Sequence, residues 1–254
     1  EVTGREVTGG TGGTGGQLAD TRIVTAVVTG ASRGIGRATA LRLARTGVRV
    51  ALLARRPDAL AEVARACGNA AVVVPCDLSR EADVTRALAD IEATLGVPQL
   101  LINNAGLFAL GAIGVMPPAD LDRMIALNLV APYRLLHALV PAMVARGSGH
   151  VITIGSVADR AAFPENAAYA AGKFGARAMH EVMRQELRGT GVRASLVSPG
   201  PVDTPLWDPI DLDSRPGFPP RSAMLDAEAV ADAVCWVASR PAEVNIDELR
   251  LSRA

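Results

Sequence analysis

Tyr169 and Lys173 are four residues apart in this sequence. On a helix that spacing puts both side chains on one face, one turn apart. A phenol is a poor acid or base near neutrality, and an ammonium one turn away favours its ionised form. Such a pair can give a proton to an oxygen held beside it, or take one back. Ser156, at the end of an apolar run, could hold that oxygen, although by itself it is only a strand-end hydroxyl. Asn128 lies inside an apolar stretch, where Asn is a poor mid-helix residue. Tyr and Lys at this spacing also occur by chance on many helices, so the elements that would position them must decide the matter.

Strand and helix signals alternate along the chain. Short β-branched or apolar runs predict strands at Ile23–Thr29, Val48–Leu53, Ala70–Pro75, Pro98–Asn103, His150–Gly155, Val192–Ser198 and Ile246–Leu251. Helical spacing predicts helices at Gly34–Thr46, Pro57–Ala66, Arg80–Leu95, Pro118–Ala145 (bent at Pro132), Asn166–Arg188 and Ala227–Ala238. Residues 200–225 are Pro-rich and read as irregular, with 205–225 as a substrate loop or lid. This alternation implies an α/β fold: one Rossmann-like, doubly wound parallel sheet of about seven strands with helices on both faces. Residues 1–22 hold repeated Thr-Gly-Gly units and read as a flexible leader, leaving 23–254 as the single folded unit.

The first strand runs into Gly30-Ala-Ser32-Arg33-Gly34-Ile35-Gly36 and then a helix. Glycines there let the backbone approach a pyrophosphate, and the helix start offers free N–H groups. The spacing is Gly-x-x-x-Gly-x-Gly rather than the general dinucleotide pattern. The second strand ends Leu53-Ala54-Arg55-Arg56, with no acid to take the ribose hydroxyls of NAD. Arg33 and Arg55 instead suit a 2′-phosphate, because a guanidinium binds phosphate in a fork. NADP(H) is therefore expected over NAD(H).

Across residues 23–251 the chain resembles the short-chain dehydrogenase/reductase family. The matching segments are the glycine loop, Cys76-Asp77-Leu78, Asn103-Asn104-Ala105-Gly106, Asn128, Ser156, Tyr169 with Lys173, and Ser198-Pro199-Gly200-Pro201-Val202-Asp203-Thr204. The resemblance implies that Asp77 and Leu78 face adenine and that Asn104, Ala105 and Gly106 support the cofactor. It also implies that Pro199, Gly200, Val202 and Thr204 contact the nicotinamide. Tyr169 is then the general acid/base, Lys173 assists the phenol and binds the ribose, Ser156 polarises the substrate oxygen, and Asn128 holds a water linking Lys173 to solvent. The family commonly has Ser or Ala before the Lys; Gly172 departs from this, and a helix-interior Gly costs about 1 kcal/mol. The implied activity is interconversion of a carbonyl and a secondary alcohol. The alternatives are 3-oxoacyl-(acyl-carrier-protein) reduction, which the chain's ending makes a weaker fit, and a non-catalytic NAD(P)-binding sensor.

Composition narrows the rest. Lys+Arg and Asp+Glu are equal at 26 each and no basic stripe occurs, which opposes a nucleic-acid partner. The three cysteines and three histidines are scattered, so no disulfide framework or metal site is expected. The apolar stretch Leu127–Ala145 is broken by polar residues and Pro, and no basic-then-apolar leader is present, so no membrane span is expected and a cytoplasmic setting is the default. The loops carry Leu107, Phe108, Val157, Ala158, Phe163, Leu206, Trp207, Phe218 and Met224, implying an apolar substrate pocket, with Arg160, Glu165 and Arg221 as nearby charges. The resemblance further implies a homodimer or homotetramer built on the two long helices.

Overall fold

A computed structural model describes residues 23–212, 215 and 217–254. The expected flexible leader lies outside the described residues. Seven strands form one sheet: β1 (Thr25–Thr29), β2 (Arg49–Ala54), β3 (Ala71–Pro75), β4 (Leu100–Asn103), β5 (Gly149–Ile154), β6 (Val192–Pro199) and, after a two-stranded pair β7 (Val202–Asp203) and β8 (Leu225–Asp226), β9 (Glu248–Leu251). Their order is β3-β2-β1-β4-β5-β6-β9, and every pairing is parallel. The strand order reverses between β1 and β4, which opens a crevice at their carboxyl ends where such sheets bind ligands.

Both faces are covered, as the near-continuous apolar strands require. On one face α1 (Gly34–Arg45), α2 (Pro57–Cys67) and α7 (Ala227–Ala238) enclose Val28, Leu52, Ile102 and Val197. On the other, α3 (Glu81–Leu95), α5 (Ala131–Arg146) and α6 (Ala167–Glu186) enclose Val27, Leu53, Leu101 and Val151. A third apolar cluster around Phe108, Met124, Tyr169 and Trp207 lies over the strand ends.

The long helix expected from Pro118 is divided. It comprises α4 (Pro118–Ile125), a π-helical turn at Ala126–Val130, and α5. The break falls just before Pro132, whose ring cannot continue a regular hydrogen-bond ladder. A π turn admits an extra residue and so changes the helical phase. Met124 accordingly packs in the third cluster, whereas Leu135 and Leu139 pack against the sheet. Pro118–Arg146 is long and apolar enough on composition to cross a membrane. Here it is interrupted by that turn and delivers Leu135, Leu136 and Met143 to the interior. The segment after β6 is also more regular than its Pro content suggests, containing β7, β8 and 3-10 turns at Pro205–Trp207 and Arg221–Ala223.

Candidate active site

A cleft of about 1130 Å³ runs across the strand ends. Gly30, Ser32, Arg33, Gly34, Ile35, Arg55, Asp77 and Leu78 line one end; Ser156, Phe163, Tyr169, Lys173, Trp207 and Phe218 line the other. Asn104, Ala105, Gly106, Pro199, Gly200, Val202 and Thr204 lie along it. Of the expected catalytic and cofactor-binding residues, Gly36 and Asn128 do not line the cleft and stand behind it; Leu107 and Met224, expected in the apolar substrate pocket, do not line it either.

The glycine loop is braced across the crevice. The Thr29 hydroxyl donates to the Ile102 carbonyl and accepts from the backbone N–H groups of Asn104 and Ala105, at 2.9 Å each. The Asn104 amide donates to the Thr29 carbonyl at 2.8 Å. Asn104 therefore acts on the loop as well as facing the cleft. Gly30 has φ +67°, and a Cβ there would stand 2.9 Å from Asn104 Nδ2. A Cβ on Gly36 would collide with the Gly30 carbonyl. Gly36 thus serves the loop by permitting close packing.

The start of α1 carries no side-chain cap and no acid in its first turn. Its free N–H groups and positive dipole end suit a phosphate. Further along, Asp77 Oδ1 accepts from the Ser79 backbone and hydroxyl, which fixes the carboxylate at the cleft edge. Arg55 lines the cleft and has no ion-pair partner among the described residues. Arg56 is instead turned to Asp58 at 2.6 Å. Arg33 reaches the Pro205 carbonyl at 3.5 Å. The space, the bare helix start and the arginines fit a nicotinamide dinucleotide.

At the other end, Ser156 caps a short 3-10 turn, Val157–Asp159. Its hydroxyl accepts from the Ala158 N–H at 3.1 Å, which leaves its own hydrogen for a ligand oxygen. Tyr169 and Lys173 share the inner face of α6, as their spacing predicts, and both are buried. Lys173 Nζ donates to the Ile154 carbonyl at 2.9 Å and lies 5.7 Å from the centre of the Tyr169 ring. The β5 backbone so anchors the ammonium, and its remaining N–H groups face the cleft. Phe108 meets the Tyr169 ring edge-on at 4.8 Å and Trp207 at 5.0 Å, walling the site with apolar surface.

Asn128 sits in the π turn, 3% exposed. Its side chain accepts from the Leu107 N–H at 2.8 Å and donates to the Leu107 carbonyl at 2.9 Å. The side chain clamps the loop after β4. A Cβ on Gly172 would lie 3.1 Å from Asn128 Cβ, a tight contact, so α6 packs closely on this turn at Gly172.

The expected substrate-reading charges divide. Arg221 is held by Asp203 and Asp208, at 2.6 and 2.8 Å. Arg160 turns away from the cleft to Asp159 and Glu248. Glu165 lines the cleft, pairs with Arg215 and has φ +63°, an uncommon conformation for a residue with a side chain. Arg215 and Asp159 gave no signal in the sequence: one lies in a Pro-rich stretch, the other in a loop of unremarkable composition. Among the described residues no His, Cys, Asp and Glu cluster could hold a metal ion.

A parallel sheet with a glycine loop at its switch point defines a dinucleotide-binding α/β protein. The family model for short chain dehydrogenases matches residues 24–215. An uncharacterised oxidoreductase of Staphylococcus epidermidis is 32% identical over 226 residues, covering 89% of this chain and 95% of that one. Ketoacyl reductase HetN of Nostoc is 32% identical over 213 residues, covering 83% and 73%. Among solved structures, the closed form of serine dehydrogenase complexed with NADP+ is similar with a TM-score of 0.82 and 29% identity, covering 89% of this chain and 94% of that one. A metagenomic short-chain oxidoreductase in complex with NADP scores 0.78 at 36% identity, covering 91% and 96%. The chain belongs to the short-chain dehydrogenase/reductase family and is an oxidoreductase with a nicotinamide cofactor site.

Proposed function

We propose that this chain interconverts an apolar ketone and its secondary alcohol with NADP(H) as the hydride carrier. The observation that carries this reading is the meeting of Ser156, Tyr169 and Lys173 in the cleft that begins at the glycine loop. When bound, the reduced nicotinamide supplies hydride. The Ser156 hydroxyl holds the substrate oxygen, and Tyr169 donates its proton to that oxygen; in the oxidising direction the phenolate takes it back. Lys173, fixed by the Ile154 carbonyl, supports the charged phenolate and offers N–H donors to the ribose. The Asn128 side chain clamps Leu107, and its amide keeps one further N–H and one further lone pair with which it would hold a water for Lys173. Arg33 and Arg55 favour a 2′-phosphate, hence NADP(H). The substrate end is walled by Phe108, Phe163, Trp207 and Phe218, and its charges, Glu165 and Arg215, neutralise each other.

The test is NADPH oxidation, followed by absorbance, over a panel of aryl and alkyl ketones, 3-oxo acids, steroids and an acetoacetyl thioester. Turnover is expected to be greatest for uncharged, ring-bearing ketones. Tight NADPH binding without turnover on any member would point instead to a cofactor-binding sensor. Likeness to the Nostoc ketoacyl reductase favours a second reading, thioester reduction, which a dominant rate on the acetoacetyl thioester would establish. We also infer self-association through α5 and α6, which expose Tyr133, Phe174 and Val182 at 58%, 43% and 54%. Light scattering showing a monomer at micromolar concentration would overturn it.

A further inference from the structure

Beneath the Ser156 turn lies a carboxylate with 1% exposure, that of Asp159. Its Oδ2 accepts from the Ser156 N–H at 3.1 Å and from the Ser198 hydroxyl at 2.6 Å. A single oxygen atom thereby joins the Ser156 turn to β6, just before the Pro199–Thr204 stretch that lines the cleft. Its Oδ1 accepts from Arg160 Nε at 2.8 Å and stands 3.7 Å from Arg177 Nη1. Both arginines continue to Glu248 of β9: Arg160 is hydrogen-bonded to it, and Arg177 donates to it at 3.1 Å. Burial pushes the Glu248 carboxyl up, but the bonds from Arg160 and Arg177 outweigh it and hold the group below the usual range. Arg177 also binds Glu181 at 2.9 Å. A Cβ on Gly155 would collide with both Asp159 Oδ2 and the Ser198 hydroxyl, so the carboxylate occupies the space a side chain would need.

None of Asp159, Arg160, Arg177, Ser198 and Glu248 lines the cleft, so these groups do not touch a ligand there. As a device for stability alone the arrangement is a poor one, because desolvating ions offsets most of their attraction and apolar packing does as well. What ions with fixed hydrogen bonds add is geometry. We propose that Asp159 is a positioning residue: its Oδ1 is hydrogen-bonded by Arg160 and neighboured by Arg177, both tied to the edge strand, and its Oδ2 sets where the Ser156 hydroxyl stands relative to the nicotinamide side of the cleft. This rests on the reading of Ser156 as the group that holds the substrate oxygen. A displaced hydroxyl degrades the reactive geometry, and small displacements are known to cost as much as about 100-fold in rate.

The test is a double-mutant cycle on the fastest ketone of the panel, with NADPH affinity measured separately by fluorescence. Asp159→Asn keeps the shape but loses one acceptor. It is expected to lower kcat by about 10- to 100-fold while the NADPH dissociation constant moves less than about 3-fold. In a Ser156→Ala background the same change is expected to cost less than about 3-fold, because the hydroxyl it positions is gone. An equal loss in both backgrounds, or no loss in either, overturns the positioning role. Full turnover by Ser156→Ala, or no turnover of any ketone by the unsubstituted chain, overturns the underlying reading and the role with it. Should Asp159→Asn fail to fold, Glu248→Gln loosens both arginines while leaving Asp159 in place. It is expected to give a smaller fall in kcat with the same dependence on Ser156, and a background-independent fall refutes the role.

Discussion

Acidification should destabilise this protein through two histidines that take no part in the site. His150 and His180 are 1% and 2% exposed. His150 Nε2 meets the Ser195 hydroxyl at 2.8 Å, while its Nδ1 and both ring nitrogens of His180 have no hydrogen-bond partner among the described residues. Burial, reinforced by Arg193 and then His180, pushes His150 from 6.5 down to about 3. Burial, reinforced by Arg184 and then Arg177, pushes His180 from 6.5 down to about 4. Both folded-state values are depressed, so the stability they represent is complete above the unfolded value and is lost as pH falls below it. At pH ~5 the unfolded chain has taken up both protons and the folded chain neither. Each site then costs about 1.36 kcal/mol per pH unit below 6.5, or roughly 2 kcal/mol each and roughly 4 kcal/mol together. Against a typical total of about 5–15 kcal/mol that loss is large. The assay is urea unfolding by circular dichroism at pH ~7.5, ~6 and ~5, repeated with His180→Leu. The wild-type free energy should drop steeply between pH ~6.5 and ~5, and His180→Leu should remove about half of that slope. A flat profile, or a His180→Leu profile parallel to wild type, would refute the reasoning.

Other outcomes follow from the site. Tyr169→Phe should lose at least about 100-fold in kcat with NADPH binding unchanged by fluorescence, and retained turnover would remove the phenol from the proton step. Arg55→Ala should weaken NADPH at least about 10-fold more than NADH, read from the two dissociation constants; an unchanged ratio would overturn the 2′-phosphate assignment. Gly36→Ala should abolish NADPH binding or destabilise the fold, because its Cβ would collide with the Gly30 carbonyl, and a normal melting curve with normal NADPH affinity would contradict this.

Most of the fold was legible because it is written in local signals. Thr25–Thr29 and Gly149–Ile154 are apolar, β-branched runs, and α6 repeats its apolar residues at helical spacing. The Tyr169–Lys173 pairing followed from that spacing alone. What periodicity cannot carry is a change of phase or a side chain's choice among partners. The π turn at Ala126–Val130 is invisible in an apolar run with no breaker before Pro132. The Asn128 amide clamps the Leu107 backbone, a contact 21 residues away in sequence. Arg160 looked like a loop charge near the substrate, yet its partner Glu248 stands 88 residues further on. Arg56 and Arg55 are neighbours of the same type, and only three-dimensional contacts show one committed to Asp58 and the other facing the cleft.

The order in which the chain is made gives the edge strand a particular meaning. Glu248 leaves the ribosome after every other residue of the Ser156 support. Until it arrives, Arg160 and Arg177 share Asp159 and the surface carboxylate of Glu181. Glu248 gives both arginines a further carboxylate on the strand that completes the sheet. The strand made last therefore also supplies the shared anchor of the charge network beneath Ser156.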